Sequence, residues 1–175
     1  MKNSVIAFTS LILLLSADSG KALAQRDKYV LLTNLRTNRS GTFIDKPDEG
    51  QGYARALKSF SRLYKNISNE TWVKVKDGFV ARFLSYGIRY SVLYNTKGYW
   101  TGLVKNYTEE KLPRNIREIV KSKYYDYSIF YVDEMETSAT GDAPVYIVHL
   151  EDKVGVKLVR VYNGDMDVWM EYVKG

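Results

Sequence analysis

The sequence predicts an α+β fold: two αββββ-type pseudo-repeats, with the helices packed on one face of an antiparallel sheet. Three observations predict it. Apolar residues alternate with period two from Trp72 to Tyr107 and again from Tyr127 to Val173, the mark of half-buried antiparallel strands. Each of these stretches follows a segment whose apolar residues recur every three or four positions, the mark of an amphipathic helix. The two halves also echo each other locally. Ser91-Val92-Leu93-Tyr94-Asn95 is answered by Val159-Arg160-Val161-Tyr162-Asn163, and a turn and a tryptophan, Trp100 or Trp169, follow each.

The first helix is read from Tyr53, Leu57, Phe60, Tyr64 and Ile67, which form one face, with Arg55, Lys58, Arg62 and Lys65 on the other. Two hairpins follow. Val73 and Val75 lead into Lys76-Asp77-Gly78, and Tyr90, Val92 and Tyr94 lead into Thr96-Lys97-Gly98. Each reads as a three-residue loop with Gly last, where a positive φ is needed and Gly has no Cβ to object. That loop length sets the parity. Val73, Val75, Phe79, Ala81, Phe83, Tyr90, Val92 and Trp100 face the helices, and Trp72, Arg82, Arg89 and Tyr99 face away. The second helix starts near Pro113, whose missing N–H would be unpaired in a first turn anyway. Leu112, Ile116, Ile119, Val120 and Tyr124 are its buried face. Strands follow over 127–135, 145–150, 156–162 and 166–173. Asn163-Gly164 signals a two-residue turn, which puts Val159, Val161, Met166 and Val168 on one face. The longer loop of the first half sets Tyr94 and Trp100 together instead, so the repeat leaves the face of Tyr162 open.

The amino terminus reads as a signal peptide over residues 1–24. Lys2 is a positive n-region, Val5 to Leu15 an apolar run too short for a comfortable span, and Ala22-Leu23-Ala24 a peptidase site before Gln25. Intact mass of the exported protein tests that boundary. Residues 25–52, with a short strand at Tyr29–Leu32 and otherwise polar, Gly- and Pro-containing sequence, read as a poorly ordered segment ahead of one domain over residues 53–175. The localisation expected is periplasmic or secreted, with no transmembrane segment after leader removal. The chain has no cysteine, so the domain stands on its core without disulfides. Its net charge is +6, and loss of Lys2, Asp18 and Lys21 with the leader leaves +5. Export removes nucleic acid as the partner for that charge and leaves anionic envelope components or an acidic protein.

Catalytic patterns are missing from the sequence. There is no Cys nucleophile, and His149, the one histidine, sits between Val148 and Leu150 with no nucleophile elbow nearby. One His and no Cys do not make a zinc site, and Asp165 and Asp167 flank a turn without calcium-loop spacing. Glu134 and Glu136 share a strand face, which reads as solvated. No cofactor or metal is expected, and the protein is read as a non-enzyme. The excess is aromatic, with 15 Tyr and 3 Trp, the residue types that with Arg dominate protein interfaces. The candidate binding residues are therefore Trp72, Arg82, Arg89, Tyr99 and Trp169 on the sheet face away from the helices. The expected function is a protein-binding module, modulating or inhibiting an envelope enzyme or peptidase. The alternative is a small periplasmic hydrolase that uses carboxylates.

From Tyr53 to Val173 the chain resembles the PepSY-like, β-lactamase-inhibitor-like exported proteins. The residues that carry this are Trp72 with Gly78-Phe79-Val80-Ala81-Arg82-Phe83, then Gly87-Ile88-Arg89-Tyr90-Ser91-Val92 and Gly98-Tyr99-Trp100. Leu112-Pro113, Tyr124-Tyr125-Asp126-Tyr127 and Tyr146-Ile147-Val148-His149-Leu150-Glu151 add to it. The resemblance implies an exported, non-enzymatic domain, akin to domains that bind or inhibit peptidases and β-lactamases. It further implies an origin in the Bacteroidota.

Overall fold

The computed structural model describes residues 50–174, apart from 68, 139, 141 and 142, and the backbone of Thr42–Phe43. The expected signal peptide, the strand at Tyr29–Leu32 and most of the expected poorly ordered segment lie outside the described residues. Nine antiparallel strands form one sheet in strict chain order. They are β1 (Thr42–Phe43), β2 (Thr71–Val75), β3 (Gly78–Ser85), β4 (Ile88–Asn95), β5 (Trp100–Tyr107), β6 (Ser128–Thr137), β7 (Val145–Glu151), β8 (Gly155–Tyr162) and β9 (Asp165–Val173). Among the described residues two short α-helices accompany them: α1 (Gln51–Leu63) before β2, and α2 (Arg114–Lys123) between β5 and β6.

This corrects the predicted α+β pair of repeats. The molecule is a strand-dominated meander of eight long strands and a two-residue edge, with only 13 and 10 residues in its helices. No seam divides it. β5 and β6 zip together from Gly102↔Thr137 to Tyr107↔Val132, across the point where one repeat was to end and the next begin. The echoed pentapeptides are also inequivalent. Tyr94 is 2% exposed on the helix side, whereas Tyr162 falls on the opposite face because Val161 opposite Met166 takes the helix side.

Local chemistry explains the elements. Tyr53, Ala56, Phe60 and Tyr64 put the apolar stripe of α1 over Trp72, Phe79, Ala81, Phe83, Val92 and Tyr94. Leu57, expected in that stripe, is 37% exposed on its flank. Asn66, with a φ of 64°, turns the chain away from the helix end. Leu112, Ile116, Ile119, Val120 and Tyr124 bury α2 over Val132, Tyr146, Val148, Leu150, Val159 and Val161, as the spacing predicts. The β4–β5 loop ends in Gly98 at a φ of 78°, and a Cβ there would collide with the Gly52 carbonyl oxygen. That turn and the start of α1 can lie together only because Gly98 has no side chain.

The first hairpin departs from expectation. Val75 pairs with Gly78, so its turn is the two residues Lys76-Asp77, and Trp72 stands opposite Ala81. A one-residue change in loop length inverts every side chain of β2. Trp72 and Lys74 therefore take the helix side, while Val73 and Val75 take the other.

Candidate functional site

On the helix side one row of side chains crosses the middle of the sheet: Phe83, Tyr90, Lys105, Glu134 and Tyr146, from β3 to β7. Its polar members lie between the hydrophobic cluster under α1 and the one under α2. Lys105 Nζ donates to Glu134 Oε1 at 2.7 Å and to Glu136 Oε1 at 2.6 Å, and Tyr107 Oη donates to Glu134 Oε2 at 2.5 Å. Burial works against the Lys105 ammonium, but its bonds to the two carboxylates outweigh it and hold its pKa above the ordinary lysine range. Burial, followed by the bond to Glu134, pushes the Tyr107 phenol well up, and burial with the Glu134 charge raises Tyr146. Tyr64, at the end of α1, is raised by burial and then by Glu136. The seam thus sets one ammonium against two carboxylates among neutral phenols. Its side chains are only 23% (Lys105), 12% (Glu134) and 38% (Glu136) exposed, so the expected solvated strand is corrected. Both acids are tied to one ammonium, which is not the pair of free carboxyls that glycoside chemistry uses.

The other face carries no described helix. At its centre His149, 3% exposed, bonds through Nε2 to Asp133 Oδ2 at 2.8 Å, and Asn106 Nδ2 donates to Asp133 Oδ1 at 2.6 Å. Phe130 and Tyr131 meet the imidazole edge-on. This face is not uniformly open, since Val73, Val80, Leu93, Met135, Val145 and Ile147 are all buried. Exposure concentrates at the end where β3 turns into β4. There Leu84 (55% exposed) stands opposite the exposed Arg89, Tyr86 at the turn is 92% exposed, and Phe130 two strands away is 41% exposed. Arg89, Asn106 and Asp133 form one cross-strand row, and Phe130 lies three residues along β6 from Asp133.

The five sequence-predicted binding residues do not converge. Trp72 is core. It is 8% exposed and meets Tyr53 and Phe60 edge-on at 5.2 and 5.5 Å between ring centroids, with Tyr94 at 5.7 Å. The two-residue turn is the reason it is not on the helix-free face. Arg82 and Arg89 do lie on that face, Arg82 opposite Ser91 and Arg89 opposite Leu84. Tyr99 sits in the β4–β5 loop beneath the Arg55 guanidinium, 4.7 Å from the ring centroid. Trp169 occupies the bulge of β9, five strands from Arg89 and so about 24 Å away. Sequence reasoning missed Leu84, Tyr86 and Phe130, and it missed the seam. The available signal was Lys105, a cation at a helix-facing position between Leu103 and Tyr107. Among the described residues no three His, Asp or Glu side chains are placed to hold a metal ion, and no helix is long and apolar enough to cross a membrane.

No family model and no curated protein matches the sequence. Solved structures match the fold. A BLIP-like protein from Bacteroides fragilis aligns with a TM-score of 0.55 at 16% identity, covering 75% of this chain and 94% of its own. The fold resembles that of a BLIP-like protein. A DUF2874 family protein from Bacteroides ovatus aligns with a TM-score of 0.58 at 15% identity over 74% of this chain and 89% of that one. A protein of Bacteroides eggerthii ascribed to the periplasm gives 0.56 at 13% identity over 71% and 90%. These likenesses show the fold alone. They support the β-lactamase-inhibitor-like part of the expected resemblance and do not single out PepSY domains.

Proposed function

We propose that the protein is an exported, non-catalytic binding module that docks a protein partner, an envelope enzyme or peptidase, through one end of its helix-free sheet face. The observation that carries this reading is the gathering of Leu84, Tyr86, Arg89 and Phe130 there, exposed side chains within roughly 18 Å of each other on one sheet. Large apolar and aromatic side chains beside Arg are what interface centres use. The neighbours in fold, one BLIP-like and one ascribed to the periplasm, support the reading, as does the leader-like amino terminus. The site retains Arg89 from the sequence reading, with Arg82 on the same face, and drops Trp72, which belongs to the core.

Crosslinking of the tagged chain in the native envelope tests it. A Leu84→Asp, Arg89→Glu variant should lose the partner adduct that the parent forms, with a urea midpoint unchanged within about 0.5 kcal/mol of stability. An adduct of undiminished yield would move the docking surface elsewhere on the molecule.

A further inference from the structure

We propose that the outer face of α1 seats the protein on an anionic lipid surface, a role separate from partner docking. Arg55, Lys58, Arg62 and Lys65 are all exposed and follow each other at spacings of three, four and three. That puts them along one line on the back of the helix and just past its end, about 15 Å long. No acid occurs from Gly50 to Asn69, and Glu70, the next one, bears on Tyr53 on the packed side. Elsewhere Lys105, Arg114, Arg117, Lys157, Arg160 and Lys174 are each held by a carboxylate, and exposed cations such as Lys74, Lys76, Arg89 and Lys153 are scattered over other elements. Among the described residues Lys58, Arg62 and Lys65 have no ion pair. Arg55 gives its guanidinium to the Lys97 carbonyl and the Tyr99 ring, which brings a fifth cation, Lys97, to the same end.

The geometry selects the occupant. The apolar stripe of α1 is committed to the core through Ala56 and Phe60, 0% and 1% exposed, so the helix cannot invert or sink into a bilayer. Its crest carries these cations, with the small residues Ala54 and Ser61 alongside them. The exposed Leu57 and Leu63 are on the flanks. A protein interface needs a packed apolar centre and is depleted in Lys. A headgroup layer needs only charge, and it accommodates flexible Lys and Arg side chains laid flat. A convex row of cations, with the exposed Tyr99 ring only at its Arg55 end, therefore fits phosphate headgroups better than a protein pocket.

Sedimentation with vesicles tests this, using the chain from Gln25 onward with phosphatidylglycerol vesicles and with pure phosphatidylcholine vesicles. Binding is expected to the first and not to the second, and to disappear at high salt. Lys58→Glu with Arg62→Glu should weaken it more than tenfold, with unchanged circular dichroism, because both positions are exposed. Leu84→Asp with Arg89→Glu should bind vesicles as the parent does, which separates this surface from the docking face. Equal binding to both vesicle types, or undiminished binding by the charge-reversed α1 variant, overturns the proposal. So does loss of the partner adduct in that variant without any vesicle binding by the parent, which assigns the row to an acidic protein instead.

Discussion

Replacing Lys105 with Met keeps most of the aliphatic stem and removes the ammonium, so it isolates the electrostatic role of the seam. Glu134 Oε1 and Glu136 Oε1 both lie within 2.7 Å of Nζ, so they are at most about 5 Å apart. Without the ammonium between them two carboxylates at that separation repel by roughly 3 kcal/mol at an effective dielectric of 20. Glu136 and Lys105 are partly exposed, which screens the interaction, and a loss of about 2 kcal/mol at neutral pH is expected. Urea denaturation reads it. With an m-value of about 2 kcal/mol/M the midpoint falls by roughly 1 M. Two controls fix the cause. A Lys105→Met, Glu134→Gln variant should recover part of the loss, because one of the facing charges is gone. High salt should narrow the gap between Lys105→Met and the parent. A midpoint that does not move at neutral pH, or a loss equally large with the second substitution and in high salt, would refute the account of the seam as a charge-neutralising junction.

Two further outcomes follow from the core and from the phenols. Trp72→Ala should cost about 3–5 kcal/mol, measured by urea denaturation, because the indole is buried among three aromatic rings. An unchanged midpoint would put Trp72 on the other face and overturn the two-residue turn. The Tyr107, Tyr94 and Lys105 pKa values are all raised in the folded state, that of Tyr94 to about 12 chiefly by burial. A raised folded pKa contributes stability that is complete below the unfolded value and lost as pH rises through the folded one. Stability should thus hold from neutral pH to about pH 10 and decline above it. The ultraviolet titration of tyrosinate should show a late fraction that ionises together with loss of structure. Ionisation of every tyrosine near pH 10 in the folded protein would contradict this.

The elements were largely legible in the sequence because each has a strong local cause. Both helices have unbroken apolar stripes, and Asn163-Gly164 makes the two-residue turn between Tyr162 and Asp165 that its backbone preference dictates. The β4–β5 loop also has Gly98 at the positive-φ position that its sequence suggests. The first hairpin was not legible, since Lys76-Asp77-Gly78 is compatible with both a two- and a three-residue connection. The longer one would put Trp72 on the helix-free face, whereas the shorter one sets it opposite Ala81 on the helix side. The difference lies in whether Gly78 closes the loop or opens β3, and β3 against β4 decides it by pairing Gly78 with Asn95. The seam was hidden for a related reason. Glu134 and Glu136 look like solvent-facing acids until β5 is known to lie beside β6 and to bring Lys105 between them. No local pattern in either strand specifies that neighbour.

The strict chain order of the nine strands has a kinetic consequence. Every ladder joins a strand to the next one along the chain, so loop closure is inexpensive at each step and the average sequence separation of contacts is small for a β protein. The sheet can grow by successive addition, each hairpin templating the next strand. The longest excursion among the long strands is the one that passes through α2, from Tyr107 to Ser128. Joining β5 to β6 is then the slowest closure, and it is also the step that first brings Lys105 to Glu134 and Glu136. Until it occurs, β5 is the exposed edge of a half-built sheet, with a cation third from its end to discourage a stray strand from another chain.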